Sequence, residues 1–128
     1  MKTKTIAYLQ LFTAIGTILF WITFFTIGFE NFNYPSYYNK FEHSFPLPDS
    51  FMIAMLLCAF FNRNREKWKF FTLIAAGAMI FLGLCDFSFN IMNGMYVVGL
   101  SDGLMNAGIN AWSVGFGIIQ IIAAFKIN

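Results

Sequence analysis

The stretch MIFLGLCDFSFNIMN, residues 79–93, decides how this chain is read. It is an apolar helix segment with one carboxylate, Asp86, set between large hydrophobic residues. Met79, Gly83, Asp86, Asn90 and Asn93 follow one another at spacings of four, three, four and three. At about 100° per residue they share one stripe about 80° wide on a helix. A carboxylate in such a segment must face protein or water, because leaving it in lipid costs at least about 2.5 kcal/mol. The stretch therefore predicts a membrane-spanning helix whose polar stripe turns inward against other helices.

Composition agrees with that expectation. The chain has 128 residues, 59% of them hydrophobic and 11% charged, with a mean hydropathy of +0.66. A soluble domain is about 25% charged, so the deficit and the long apolar runs place the chain in the membrane class. Its length suits a single domain, residues 1–128, of four spans with short loops. The net charge of +2 is small and the basic residues gather in loops, which argues for topology signals and against a nucleic-acid surface. Eighteen Phe form an aromatic load that lipid-facing surfaces tolerate.

Four helices are expected, at about 6–29, 48–62, 68–93 and 103–125, making an all-α transmembrane bundle. The N-terminal run is too long for a signal-peptide core, and no small-residue cleavage site follows it. On its first helix Gln10, Thr13, Thr17, Trp21, Phe24 and Gly28 share a face, expected to turn inward. Residues 30–47, ENFNYPSYYNKFEHSFPL, mix aromatic rings with Asn, Ser and Glu, the chemistry of a headgroup layer. Pro35, Pro46 and Pro48 argue against one continuous helix there. The segment is expected to cover one end of the bundle as an aromatic loop, partly as a short surface helix. The clean apolar run that follows, 51–61, gives only about 17 Å of helix against a hydrocarbon core of about 30 Å. Either the second span is short and re-entrant, or Asp49 lies within the membrane. Ser101, Asp102 and Gly103 form a turn signal before the last helix. There Asn106, Asn110, Ser113, Gly117 and Gln120 repeat the four-three period of residues 79–93, a spacing suited to left-handed bundle packing.

Orientation follows from the basic residues. Lys2, Lys4, Arg63, Arg65, Lys67, Lys69 and Lys126 fall on one side of a four-span chain and only Lys40 on the other. The positive-inside rule then makes both termini cytoplasmic, in a multi-pass protein of the cell membrane. Cys58 and Cys85 are expected at depths of about 6 Å and about 24 Å from the same face, too far apart to pair. The chain carries no C-x-x-C, so the two read as small buried hydrophobes.

With this orientation, polar side chains from several helices converge at the outer end. Asp49, Asp86, Asn90, Asn93, Asn106 and Asn110 are the candidate binding residues, with Glu30 at the end of the first helix. The half with the termini offers only Gln10, Thr13, Ser113 and Gln120. Desolvation and a like-charged neighbour both favour the neutral form of a carboxyl group. A buried Asp49–Asp86 pair could therefore hold a cation, accept a proton, or shift a proton on a lipid-like substrate. The plainer account is interhelical glue, with Asp49 serving as a helix cap. His43, the only His, reads as a surface residue, and no ligand spacing suggests a metal. No cofactor motif and no nucleophile–base pair points to an enzyme.

The expected function is an integral membrane protein with an outward-facing polar pocket. The pocket would bind a small amphiphile or cation, in contact with membrane lipid. Alternatives are an accessory protein whose polar stripes mediate assembly, including a homo-oligomer, and a subunit of a proton-coupled transporter.

Overall fold

Apolar runs without interior proline give long helices, and the computed structural model has four that are long and apolar enough to cross a membrane. It describes residues 2–27, 36–97 and 99–126. Gly28, Glu30, Phe32, Tyr34 and Pro35, placed by the sequence at the end of the first helix and in the aromatic loop, lie outside the described residues. The elements are α1 (Thr3–Thr26), α2 (Ser36–Glu42), α3 (Pro46–Phe61), α4 (Lys67–Met92) and α5 (Leu100–Lys126), with a 3-10 turn at Met95–Val97. There is no strand among the described residues, and the fold is an all-α four-helix bundle.

At 36–47 the structure contains the short helix expected there, and differs from the sequence reading in running it on into the next helix. Seven of those residues form α2, and backbone bonds carry the chain on into α3: His43 N–H donates to Asn39, Ser44 to Phe41, Phe45 to Glu42 and Asp49 to Phe45. Pro46 and Pro48 sit in the first turn of α3, where a missing N–H costs no helical bond. Ser36–Phe61 together is 26 residues, long enough to span. The apparent shortness of the second span is thus made up by α2. α2 is anchored by the buried Tyr38 and by Phe41, whose ring stacks on Phe89 of α4 at 3.7 Å between centroids.

The turn signal at Ser101, Asp102 and Gly103 also resolves differently, as the first turn of α5. Gly103 N–H donates to Gly99 at 2.8 Å. A Cβ on Gly103 would collide with the carbonyl oxygen of Tyr96, so this glycine serves a close approach of backbones. Gly94, at φ +67°, ends α4 in the left-handed region that glycine adopts without strain.

α3 packs against both α1 and α4, α4 packs along α5, and α5 meets α1 at one end. The α4–α5 seam is close: Cβ atoms on Gly83 and Gly117 would lie 2.9 Å from Ser113 Cβ and 2.6 Å from Ile80 Cγ1. The apolar core includes Ile6, Leu56, Trp68, Met79 and Phe116. Phe61, Phe70, Phe81 and Phe125 are largely exposed. In water such faces invite association, whereas lipid accepts them. Both cysteines are free thiols, Cys58 half-buried on α3 and Cys85 exposed on α4, so Cys85 is not the buried hydrophobe expected from the sequence.

At the end of the bundle that holds the 62–66 turn, the core contains a closed polar network. Gln10 Nε2 donates to Thr72 Oγ1 and to Gln120 Oε1, both at 2.9 Å, and Trp68 Nε1 donates to Gln10 Oε1 at 3.2 Å. Gln120 Nε2 reaches Met79 Sδ at 3.2 Å. Gln10, Thr72 and Gln120 are completely buried, and these bonds tie α1, α4 and α5 together in the core.

Candidate functional site

The opposite half of the bundle contains a cavity of about 290 Å³. Its floor is the bond from Trp112 Nε1 to Thr13 Oγ1, 3.0 Å long, just above the Gln10 network. Its walls come from α1 (Phe12, Gly16, Thr17, Phe20, Trp21), α3 with its junction to α2 (Glu42, Phe45, Asp49, Met52), α4 (Met79, Leu82, Gly83, Asp86) and α5 (Asn106, Ile109, Asn110, Trp112, Ser113).

Three carboxylates face this space. Asp49 lies in the first turn of α3, and its Oδ2 accepts a 2.8 Å bond from Trp21 Nε1 across the α1–α3 contact. Asp86 comes from the apolar stretch of α4; the amides of Asn110 and Asn90 and the carboxylate of Asp49 are its polar neighbours. Glu42 arrives from the last residue of α2, with Asp86, Tyr38 and Asp49 around it. None of the described residues on the wall is Lys, Arg or His. Nor do Glu42, Asp49 and Asp86 gather closely enough to make a metal-ligand cluster among the described residues.

Of the six residues singled out from the sequence, Asp49, Asp86, Asn106 and Asn110 line the cavity. Asn90 and Asn93 do not. Asn90 is completely buried one turn beyond Asp86, with both side-chain polar atoms lacking a hydrogen-bond partner. Asn93 follows the end of α4, where its Nδ2 donates to the Phe89 carbonyl at 2.9 Å. Asn110 Nδ2 donates to the Tyr96 hydroxyl, but Asn110 Oδ1 and Asn106 Nδ2 are buried without a partner. His43 is exposed, bonded through Nδ1 to the Asn39 carbonyl and set against the rings of Phe24 and Phe25.

Sequence reasoning missed Glu42, Trp21 and Trp112 as wall residues. The period of α1 did place Trp21 on the inward face with Thr13 and Thr17. Glu42 has no such signal, since its position depends on the packing of α2 against α4 through the Phe41–Phe89 stack.

The two polar clusters differ in hydrogen bonding. In the Gln10 network each amide has partners; on the cavity side, polar atoms of Asn106 and Asn110 point at nothing within the protein. Buried polar atoms are nearly always paired, and exceptions call for water, an ion or a ligand. With aromatic walls and negative groups, the cavity is suited chemically to a positively charged group carrying apolar substance, through carboxylates and through ring faces. No family model, curated protein or solved structure matches this chain.

Proposed function

We propose that this multi-pass membrane protein is a binding protein for a small amphiphilic cation, held in the acidic cavity between its four spans. The observation that carries the proposal is the charge of the wall: three of the chain's six acidic residues, Glu42, Asp49 and Asp86, share one cavity with no Lys, Arg or His among the described residues that line it. Uncompensated carboxylates inside a membrane protein are costly, and a bound cation offsets that cost. Most of the remaining wall, including Phe12, Phe20, Phe45, Met52, Leu82 and Ile109, is apolar or aromatic, so the ligand is an organic cation with a hydrocarbon part rather than a bare ion. Wall groups that are carboxylates and amides suit holding charge, and the proposal is binding rather than catalysis.

In this account the protein lies in the cell membrane with both termini cytoplasmic, following the seven-to-one distribution of basic residues. The cavity then lies in the outer half. The test is a titration of the protein in lipid nanodiscs with butylammonium and with 1-butanol, its neutral counterpart, read by fluorescence of Trp21 and Trp112. Saturable binding of butylammonium and none of 1-butanol is expected. Equal response to both, or none to either, is contrary to the proposal.

A second reading, self-assembly, draws on α5. Ala107 and Ala111 are exposed and Gly115 half-buried, at four-residue spacing, a pattern that lets helices approach closely in lipid. Cross-linking in native membranes through cysteine placed at Ala111 checks it.

A further inference from the structure

A cavity of about 290 Å³ is near the lower limit for a small-molecule site, and its shape points to where the rest of a larger ligand goes. Gly16, Phe12, Ile109 and Trp112 are all on the cavity wall, and all are exposed. Residues of both kinds at once mark where a cavity reaches the molecular surface. A Cβ built on Gly16 meets no atom within 4 Å, so the glycine leaves a gap in α1. The contacts that join α1 to α5, Gln10–Gln120, Thr13–Trp112 and Phe12–Trp112, all lie on the floor side of Gly16. Beyond them the two helices form opposite sides of the cavity.

The depth of this opening decides what it meets. Gly16 lies ten residues before Thr26, the end of α1, and so about 15 Å from the end of the bundle that holds α2. Ile109 lies nine residues after Leu100, the start of α5, at about 14 Å. Half of a hydrocarbon core of about 30 Å is the same distance. The opening therefore faces acyl chains near the bilayer midplane, not water. Asp86, six residues before Met92, is about 9 Å from the same end, so its carboxylate stands above the opening by about 6 Å.

We infer that the opening between α1 and α5 at Gly16 is a lateral slot for a hydrocarbon chain, and that the ligand is a single-chain alkylammonium amphiphile entering from within the bilayer. This rests on the cavity being a cation site. The ammonium sits among Glu42, Asp49 and Asp86, and the chain runs down past Gly16 into lipid. Asn106 and Asn110, both more than nine-tenths buried, supply an unpaired Nδ2 and an unpaired Oδ1 on the same wall. The Oδ1 can accept from an ammonium N–H, and the Nδ2 can donate to an oxygen on the head, such as a hydroxyl. A neutral lipid satisfies neither the carboxylates nor the slot's position beneath them.

The test compares butylammonium, which fits inside the cavity, with hexadecylammonium, whose chain does not, in nanodiscs of phosphatidylcholine. Concentrations of the long amine are expressed per lipid, and hexadecanol serves as the neutral chain. Gly16→Leu fills the slot; Gly77→Leu adds the same bulk at an exposed glycine of α4 that does not line the cavity and has no atom within 4 Å of its Cβ position. The wild type should bind both amines and not hexadecanol. Gly16→Leu should lower the ratio of hexadecylammonium to butylammonium affinity by about tenfold or more, equivalent to a steric cost of about 1.4 kcal/mol or more. Gly77→Leu should keep the wild-type ratio. An unchanged ratio in Gly16→Leu overturns the slot, and displacement of hexadecylammonium by hexadecanol overturns an ammonium amphiphile as its ligand, while butylammonium binding still supports the cavity. If butylammonium fails to bind the wild type, the cation site and the slot fall together.

Discussion

Trp21 and Asp49 are 28 residues apart in sequence, and the indole Nε1 of one donates to the carboxylate Oδ2 of the other at 2.8 Å. The bond joins α1 to α3 at the rim of the cavity and fixes which way Asp49 points. It also uses only one lone pair of one oxygen, leaving the rest of the carboxylate for a ligand.

Removing the donor and removing the charge should therefore have different effects. Trp21→Phe keeps a ring but leaves Asp49 without this partner, and a loss of about 1 kcal/mol in unfolding stability is expected. Asp49→Asn keeps an oxygen that can accept from Trp21, so its thermal unfolding in detergent should stay near wild type while butylammonium affinity falls. Equal stability losses in the two variants would contradict this.

The two polar clusters make opposite predictions. Gln120→Leu strips the fully buried Gln10 of a partner and should destabilise by about 1–3 kcal/mol. Asn106→Leu removes an Nδ2 that has no partner, and should leave stability unchanged or raise it. Thermal unfolding of both variants in one detergent checks the pair; a larger loss for Asn106→Leu than for Gln120→Leu would remove the distinction between glue and site.

Two glycines offer a second contrast in sign. Gly103→Ala places a Cβ against the Tyr96 carbonyl, and overpacking of this kind costs about 1–3 kcal/mol. Gly16→Ala places its Cβ in open space, where helix propensity alone favours alanine by about 1 kcal/mol or less. The unfolding midpoints should move in opposite directions from the wild type.

Topology is checked separately from binding. In a background with Cys58 and Cys85 replaced by alanine, cysteine at Ser36 or Ser101 should react with an impermeant thiol reagent from outside the cell. Cysteine at Asn64 should react only after the membrane is opened. Reaction of position 64 from outside reverses the orientation.

The helices were legible because hydrophobic runs are long and the polar stripes on residues 79–93 and 106–120 keep helical period. Asp86, Asn106 and Asn110 followed from that period, and Asp49 from its place at a helix start. What was not legible depends on how segments return on one another. Glu42 reaches the cavity because Phe41 stacks on Phe89, a contact between residues 48 positions apart with no local signature. Thr72 and Trp68 were not singled out from the sequence, yet they complete the hydrogen bonding of Gln10. Asn90 and Asn93 share the stripe of Asp86 but lie nearer the helix end, where Asn93 is drawn back to its own backbone at Phe89. Period gives direction around a helix; it does not say how far along the helix a cavity extends.

The most direct test neutralises the wall without changing its shape. Glu42→Gln, Asp49→Asn and Asp86→Asn, singly and together, are purified in nanodiscs, and binding of butylammonium is measured by titration calorimetry beside the unfolding temperature. Each single variant should keep its unfolding temperature and lose affinity by about tenfold or more, the worth of one charge-assisted hydrogen bond, and the triple variant should show no binding. A triple variant that folds and binds butylammonium as the wild type does would contradict the account.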